Sequence, residues 1–245
     1  MAHIEEIKKK NIRTIYDESL NDVDLLYIDI LYEALEEMQG KYLKKQDPYN
    51  KMIRETKERN YSSQIRVLVN EKFKEEYPLS NPLGLDCESE DSKTFYIRAF
   101  DKLYGKEKEP DLYIHTGEDP VTGIQELICE VKRLSRLTPE NMMDDLNKLI
   151  SYSCREIWEG HGFKIAVFIV NNGNKKQLIE KVNGFMDSIY PVENLLSERS
   201  INMSFQSFVS HHQDRLKDIL CFCHSEEGRV ELSTVYEIVK FKIIH

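Results

Sequence analysis

Phe163–Val170 reads Phe-Lys-Ile-Ala-Val-Phe-Ile-Val, apolar at every position but one. A run this short and this uniform predicts a strand buried on both faces, and such burial needs a sheet with helices on both sides. The stretch before it supplies one of those helices. Thr138 predicts an N-cap with Pro139 at the first helical position, and Asn141–Trp158 continues as a helix that Gly160 and Gly162 stop. Met142 or Met143, Leu146, Leu149, Ile150, Ser153 and Ile157 form its buried stripe. A further apolar run, Ile124–Leu134, precedes that helix. Strand, helix and buried strand make a crossover unit, which is right-handed as a rule. The chain is therefore expected to build a mixed α/β sheet flanked by helices.

The polar residues sit at the entry to this unit. Asp111 follows Pro110 and opens the alternating run Leu112–His115. A turn-rich segment from Gly117 to Gly123 leads into the run that carries Glu130-Val131-Lys132, so the two runs predict a hairpin. Successive strand side chains point to opposite faces, which places Glu130 and Lys132 together, with Cα atoms about 6–7 Å apart. With Asp111 alongside on the neighbouring strand, two carboxylates and an ammonium converge. Carboxylates packed that closely raise each other's pKa unless a cation lies between them. Mg²⁺ suits the pair, because it takes one or two carboxylates and keeps several waters. Lys132 would then face a metal-bound water, as in a metal-assisted hydrolase.

At these residues the chain resembles the PD-(D/E)xK nuclease superfamily, with Pro110-Asp111 as the PD element and Glu130-Val131-Lys132 as the E-x-K element. The resemblance implies a restriction-endonuclease-like core over residues 51–175. N-terminal accessory helices would occupy residues 1–50, and a helix plus β-hairpin packed on the core residues 176–245. It implies Asp111, Glu130 and the Val131 carbonyl as ligands of Mg²⁺, for which Mn²⁺ substitutes, and Lys132 as the group that orients or deprotonates water. The family often adds a glutamate from the first core helix, here Asn60–Tyr77 with Ile65, Leu68, Val69 and Phe73 inward. No glutamate lies at Tyr61 or Ser62, and Glu58, one turn earlier, is the candidate. The amide that the family places on the following helix corresponds to Asn147. Arg136, or groups on the first helix, are the expected contacts to the nucleic-acid backbone, since Arg133 alternates to the other strand face.

Elsewhere the sequence predicts helices through residues 3–40 and from Tyr49 to Tyr77 with a break near Asn60, and a loop over Pro78–Asp91. A first core strand is expected at Thr94–Phe100. Lys175–Tyr190 reads as an amphipathic helix, Pro191–Ser200 as a polar connection and Ser204–Leu220 as helical. Ile219–His224 and Arg229–Ile244 read as strands joined by a turn at Ser225–Gly228. No apolar run is long enough to span a membrane. Five cysteines without framework spacing and a charged N-terminus point to a cytoplasmic chain with reduced thiols. Cys221-Phe222-Cys223-His224 has C-x-C spacing, which fits buried thiols better than a structural zinc site.

Functionally, the resemblance implies a Mg²⁺-dependent nuclease acting on nucleic acid, DNA rather than RNA, in restriction, defence or repair. The additional helices offer a surface for homodimerisation. The net charge of −9 runs against a protein devoted to gripping duplex DNA. It favours the rival reading, a non-catalytic interaction module that keeps the fold.

Overall fold

The computed structural model describes residues 22–38, 44–46, 53–55, 57–76, 85–89, 110–116, 125–153, 162–194 and 199–240. Its centre is a six-stranded mixed sheet built from β3 (Leu85–Ser89), β4 (Leu112–Thr116), β5 (Gln125–Arg133), β6 (Ile165–Asn171), β9 (Leu220–His224) and β10 (Val230–Thr234). The order across the sheet is β10-β9-β6-β5-β4-β3. β5, β6 and β9 run parallel, while β4 is antiparallel to β5 and β10 to β9. All seven residues of β6 are buried, as the uniform apolar run requires.

Side-chain alternation divides the core into two halves. Cys129, Val131, Val167, Ile169, Leu220 and Phe222 face one side, where α1 (Asp22–Glu37) and α2 (Glu58–Glu76) cover them. Ile128, Phe168, Val170, Cys221 and Cys223 face the other. There α3 (Pro139–Tyr152), α4 (Lys175–Asn183), α5 (Phe205–His211), α6 (Gln213–Asp218) and α7 (Val235–Val239) close the core. α3 starts where the sequence predicts: Thr138 and Asn141 form a reciprocal capping box with Pro139 in the first turn. α1 and α2 are joined by Lys72, whose ammonium lies 2.5 Å from Glu37 and 3.5 Å from Glu33.

Several elements depart from the sequence expectation. Leu85–Ser89 lies in the stretch read as a loop, yet it is the edge strand of the sheet. Asn70 of α2 holds it there, donating to the Cys87 carbonyl at 3.0 Å and accepting from the Cys87 amide at 2.9 Å. Such a long-range clamp leaves no local pattern. Ile53–Glu55, read as helix, is β2 and pairs with β1 (Lys44–Gln46), while Asn60 lies inside α2 without interrupting it. Pro191–Ser200, read as a connection, contributes to the hairpin of β7 (Ile189–Asn194) and β8 (Arg199–Ser204). The strand expected over Arg229–Ile244 ends at Thr234, whose side chain caps α7 in a second capping box with Glu237. Val235, Ile238 and Val239 are buried at helical spacing, so packing overrides their β-branched preference. The C-terminal hairpin extends the central sheet through β9, which pairs with β6. Thr94–Phe100 and the helix expected before Asp22 lie outside the described residues. Among the described residues, no helix is long and apolar enough to cross a membrane.

Candidate active site

β4 begins at Leu112, opposite Cys129, so β5 runs four residues beyond the last β4 pair while β6 stays paired to its other edge. The amides on that freed edge need acceptors. Asp111, immediately before β4, accepts from the Val131 amide at 2.6 Å. Glu58, in the first turn of α2, accepts from the Arg133 amide at 3.1 Å. Two carboxylates thus continue the ladder where the neighbouring strand has ended. Extending the β4–β5 register by one residue sets Asp111 opposite Glu130.

Glu130 and Lys132 project from the face covered by α3 and meet two charged side chains of that helix. Lys148 donates to Glu130 at 2.6 Å and lies 3.1 Å from Asp145. Lys132 lies 3.0 Å from the other Asp145 oxygen. Asp111, Glu130, Asp145, Lys132 and Lys148 therefore form one cluster of three carboxylates and two ammoniums, with a formal charge of −1. Glu130 and Asp145 are almost fully buried, whereas Lys132 keeps some exposure. Glu130 Oε1 is buried and has no hydrogen-bond partner.

The electrostatics follow from this arrangement. Burial pushes the Glu130 carboxyl well above its ordinary range, Lys148 opposes that rise, and Asp111 and Asp145 add to it. Burial also raises Asp111, against the pull of Lys132, Lys148 and the Val131 amide. For the two lysines burial acts downward, but the carboxylates outweigh it. Asp145, Glu130 and Asp111 hold Lys132 protonated, and Glu130 with Asp145 does the same for Lys148.

Of the residues singled out in the sequence, the structure brings Asp111, Glu130 and Lys132 together and puts Glu58 on the same strand end, bound to backbone. Asn147 is buried in α3, about 100° round the helix from Lys148 and about 200° from Asp145. Arg136 is exposed in the short 3₁₀ turn Leu134–Arg136 that follows β5. Asp145 and Lys148 escaped the sequence reading. Their signal was a charged residue, Asp145, on the same i, i+3, i+4 track as Met142 and Leu149, with a lysine one turn on. Among the described residues, no three His, Cys, Asp or Glu side chains are grouped to hold a metal by themselves.

A second polar group lies at the same sheet end on the opposite face. Arg133, Asn171 and His224 are register neighbours across β5, β6 and β9, and all three are buried. Tyr61 of α2 reaches this row, and its hydroxyl lies 2.7 Å from His224 Nδ1. Cys221 and Cys223 point away from His224 into the other half of the core, which leaves them as buried thiols. No family model matches the chain, and no curated protein or solved structure matches it either.

Proposed function

We propose that the chain is a metal-dependent phosphodiester hydrolase with a restriction-endonuclease-like core, acting on nucleic acid, DNA in the first instance. The observation that carries this reading is the buried convergence of Asp111, Glu130 and Lys132, with Glu130 Oε1 left without a partner in a cluster of net negative charge. Two carboxylates with solvent access beside them suit Mg²⁺ or Mn²⁺, which fill the remaining positions with water, better than they suit zinc. Asp111 and Glu130 would hold the ion, and the Val131 carbonyl is the third donor that the family resemblance implies. The bound ion would supply Lewis-acid activation of water and charge neutralisation at phosphorus.

The chain's own groups do the rest. Asp145, Glu130 and Asp111 hold Lys132 protonated against the pull of burial, which suits it to donate to the phosphoryl oxygens. Asp145 fixes that ammonium at 3.0 Å and keeps it over the strand edge. Asp111, anchored by the Val131 amide, sets the distance between β4 and the strand that carries Glu130. In the reaction a water oxygen bonds to phosphorus and releases one proton, the bond from phosphorus to the leaving ester oxygen breaks, and that oxygen takes up one proton, so one water is consumed for each diester cleaved.

The test is cleavage of plasmid and single-stranded nucleic acid with Mg²⁺ or Mn²⁺, comparing the wild type with Asp111→Ala and Lys132→Ala. Lys132→Ala should lose about 10²–10⁴-fold in rate, the scale of a lost charge-stabilising donor. The rival reading, a non-catalytic interaction module, draws on one observation: Lys148 already pairs with Glu130, and Asp145 with Lys132. Wild-type protein that binds no divalent ion and cleaves no nucleic acid would decide for the module.

A further inference from the structure

The D…E-x-K pattern leaves two residues of the cluster unaccounted for, Asp145 and Lys148, and Lys148 is the one that reaches Glu130. Its ammonium is nearly buried and reaches across from α3 to Glu130 at 2.6 Å, the carboxylate whose other oxygen has no partner. Asp145, one turn earlier on α3, touches both lysines, at 3.1 Å from Lys148 and 3.0 Å from Lys132. An unpartnered buried carboxylate oxygen is costly, and Glu130 carries one on the side away from Lys148. Here the helix delivers a flexible four-carbon ammonium to the carboxylate that a divalent ion would need.

We propose that Lys148 is a substrate-binding residue of this site: it balances Glu130 in the resting chain, and when a divalent ion takes Glu130 its ammonium passes to the scissile phosphate. This rests on the hydrolase reading above. The charge count supports it. Three carboxylates and two ammoniums give −1, and one divalent ion brings the cluster to +1. That charge is neutralised by one singly charged phosphodiester, whereas a phosphomonoester dianion would overshoot it and a second divalent ion would leave +3. By formal charge, then, the cluster with one ion is balanced by a diester. Asp145 provides the pivot: it holds Lys148 at i, i+3 while the Glu130 contact is exchanged for a phosphate oxygen. Lys132 stays on the other Asp145 oxygen, so two ammoniums flank the phosphoryl group.

The experiment measures Mn²⁺ binding by calorimetry and diester cleavage for the full chain in parallel. Lys148→Met removes the cation that competes for Glu130, so Mn²⁺ should bind about tenfold more tightly or better, while cleavage falls by about 10²–10³-fold. Because Lys148→Met leaves a buried carboxylate unbalanced, the double variant Asp145→Asn/Lys148→Met keeps the net charge at −1 and guards against misfolding. It should bind Mn²⁺ at least as tightly as the wild type and still fail to cleave. Lys148→Arg should retain part of the rate. If both methionine variants fold, as judged by circular dichroism, and bind Mn²⁺ more weakly than the wild type, Lys148 is a structural prop and the proposal falls. Wild-type binding and cleavage with undiminished cleavage in Lys148→Met would overturn the proposal alone. Absence of both Mn²⁺ binding and cleavage in the wild type would overturn the hydrolase reading, and the proposal with it.

Discussion

Acidification should strike first at the buried end of the sheet. His224 is fully buried, its Nδ1 faces the Tyr61 hydroxyl at 2.7 Å, and burial lowers its pKa from 6.5 to about 4. Burial also holds the Tyr61 phenol well above its ordinary value, so the hydroxyl stays protonated and can donate to the neutral imidazole. A base whose folded pKa is depressed binds fewer protons folded than unfolded. Its stabilising contribution is complete above about pH 6.5 and drains away as the pH falls towards 4. From those two values the loss is about 1–2 kcal/mol at pH 5.5 and about 2–3 kcal/mol at pH 4.5. Glu130 and Asp111 act in the opposite sense, since their raised carboxyls favour the folded state at low pH, so the wild-type curve alone is a mixture. The comparison with His224→Gln removes them. His212, lowered to about 4 by burial and by His211 and Arg215, is common to both proteins and cancels as well. Urea denaturation at pH 7.5, 5.5 and 4.5 should show the gap between wild type and variant narrowing by these amounts as the pH drops. Parallel pH dependences would refute the reasoning.

Three further outcomes follow from the packing and the cluster. Glu130→Gln removes a carboxyl whose raised pKa costs stability as the pH climbs above its unfolded value, so the variant's melting temperature relative to wild type should be higher at pH 8.5 than at pH 5. Gly173→Ala would put a Cβ 2.3 Å from Leu134 Cδ2 and 2.9 Å from its Cβ, and should cost about 1–3 kcal/mol in chemical denaturation by pushing on the turn after β5. Leu146→Ala, at a fully buried position under the sheet, should cost about 2–5 kcal/mol, and a smaller loss would mean that α3 does not seal the core as described.

Much of the central unit could be read from the sequence because its signals are local. The apolar run of β6, the Thr138-Pro139 start of α3 and the alternation of β4 each depend on neighbours in sequence. The edges were less legible. β3 is held by Asn70, 17 residues away, and its composition of Leu, Asp, Cys, Glu and Ser looks like loop. α7 carries β-branched residues that would suit a strand, and only Thr234 with Glu237 turns the chain into a helix. β7 and β8 form a separate two-stranded sheet that sets Tyr190, Val192 and Met203 half-buried against the core and leaves Ile189 and Ile201 exposed, so apolar residues on both faces blur the alternation.

At the site the sequence exposed what lies on β4 and β5 and hid what comes from the helices. Strand alternation is enough to pair Glu130 with Lys132, and the hairpin register then brings in Asp111. Asp145 and Lys148 join only because α3 crosses back over β5, a relation set by tertiary packing. The same holds for Glu58, whose carboxylate meets the Arg133 amide from a residue 75 positions earlier. β5 is the common support. Its overhang beyond β4 needs side-chain acceptors for the amides of Val131 and Arg133, and Asp111 and Glu58 supply them. One face of that overhang carries the charged cluster and the other the Arg133–Asn171–His224 row. That second row, a buried guanidinium, an amide and an imidazole, packs beneath α2 and keeps the strand end in place under the charged cluster.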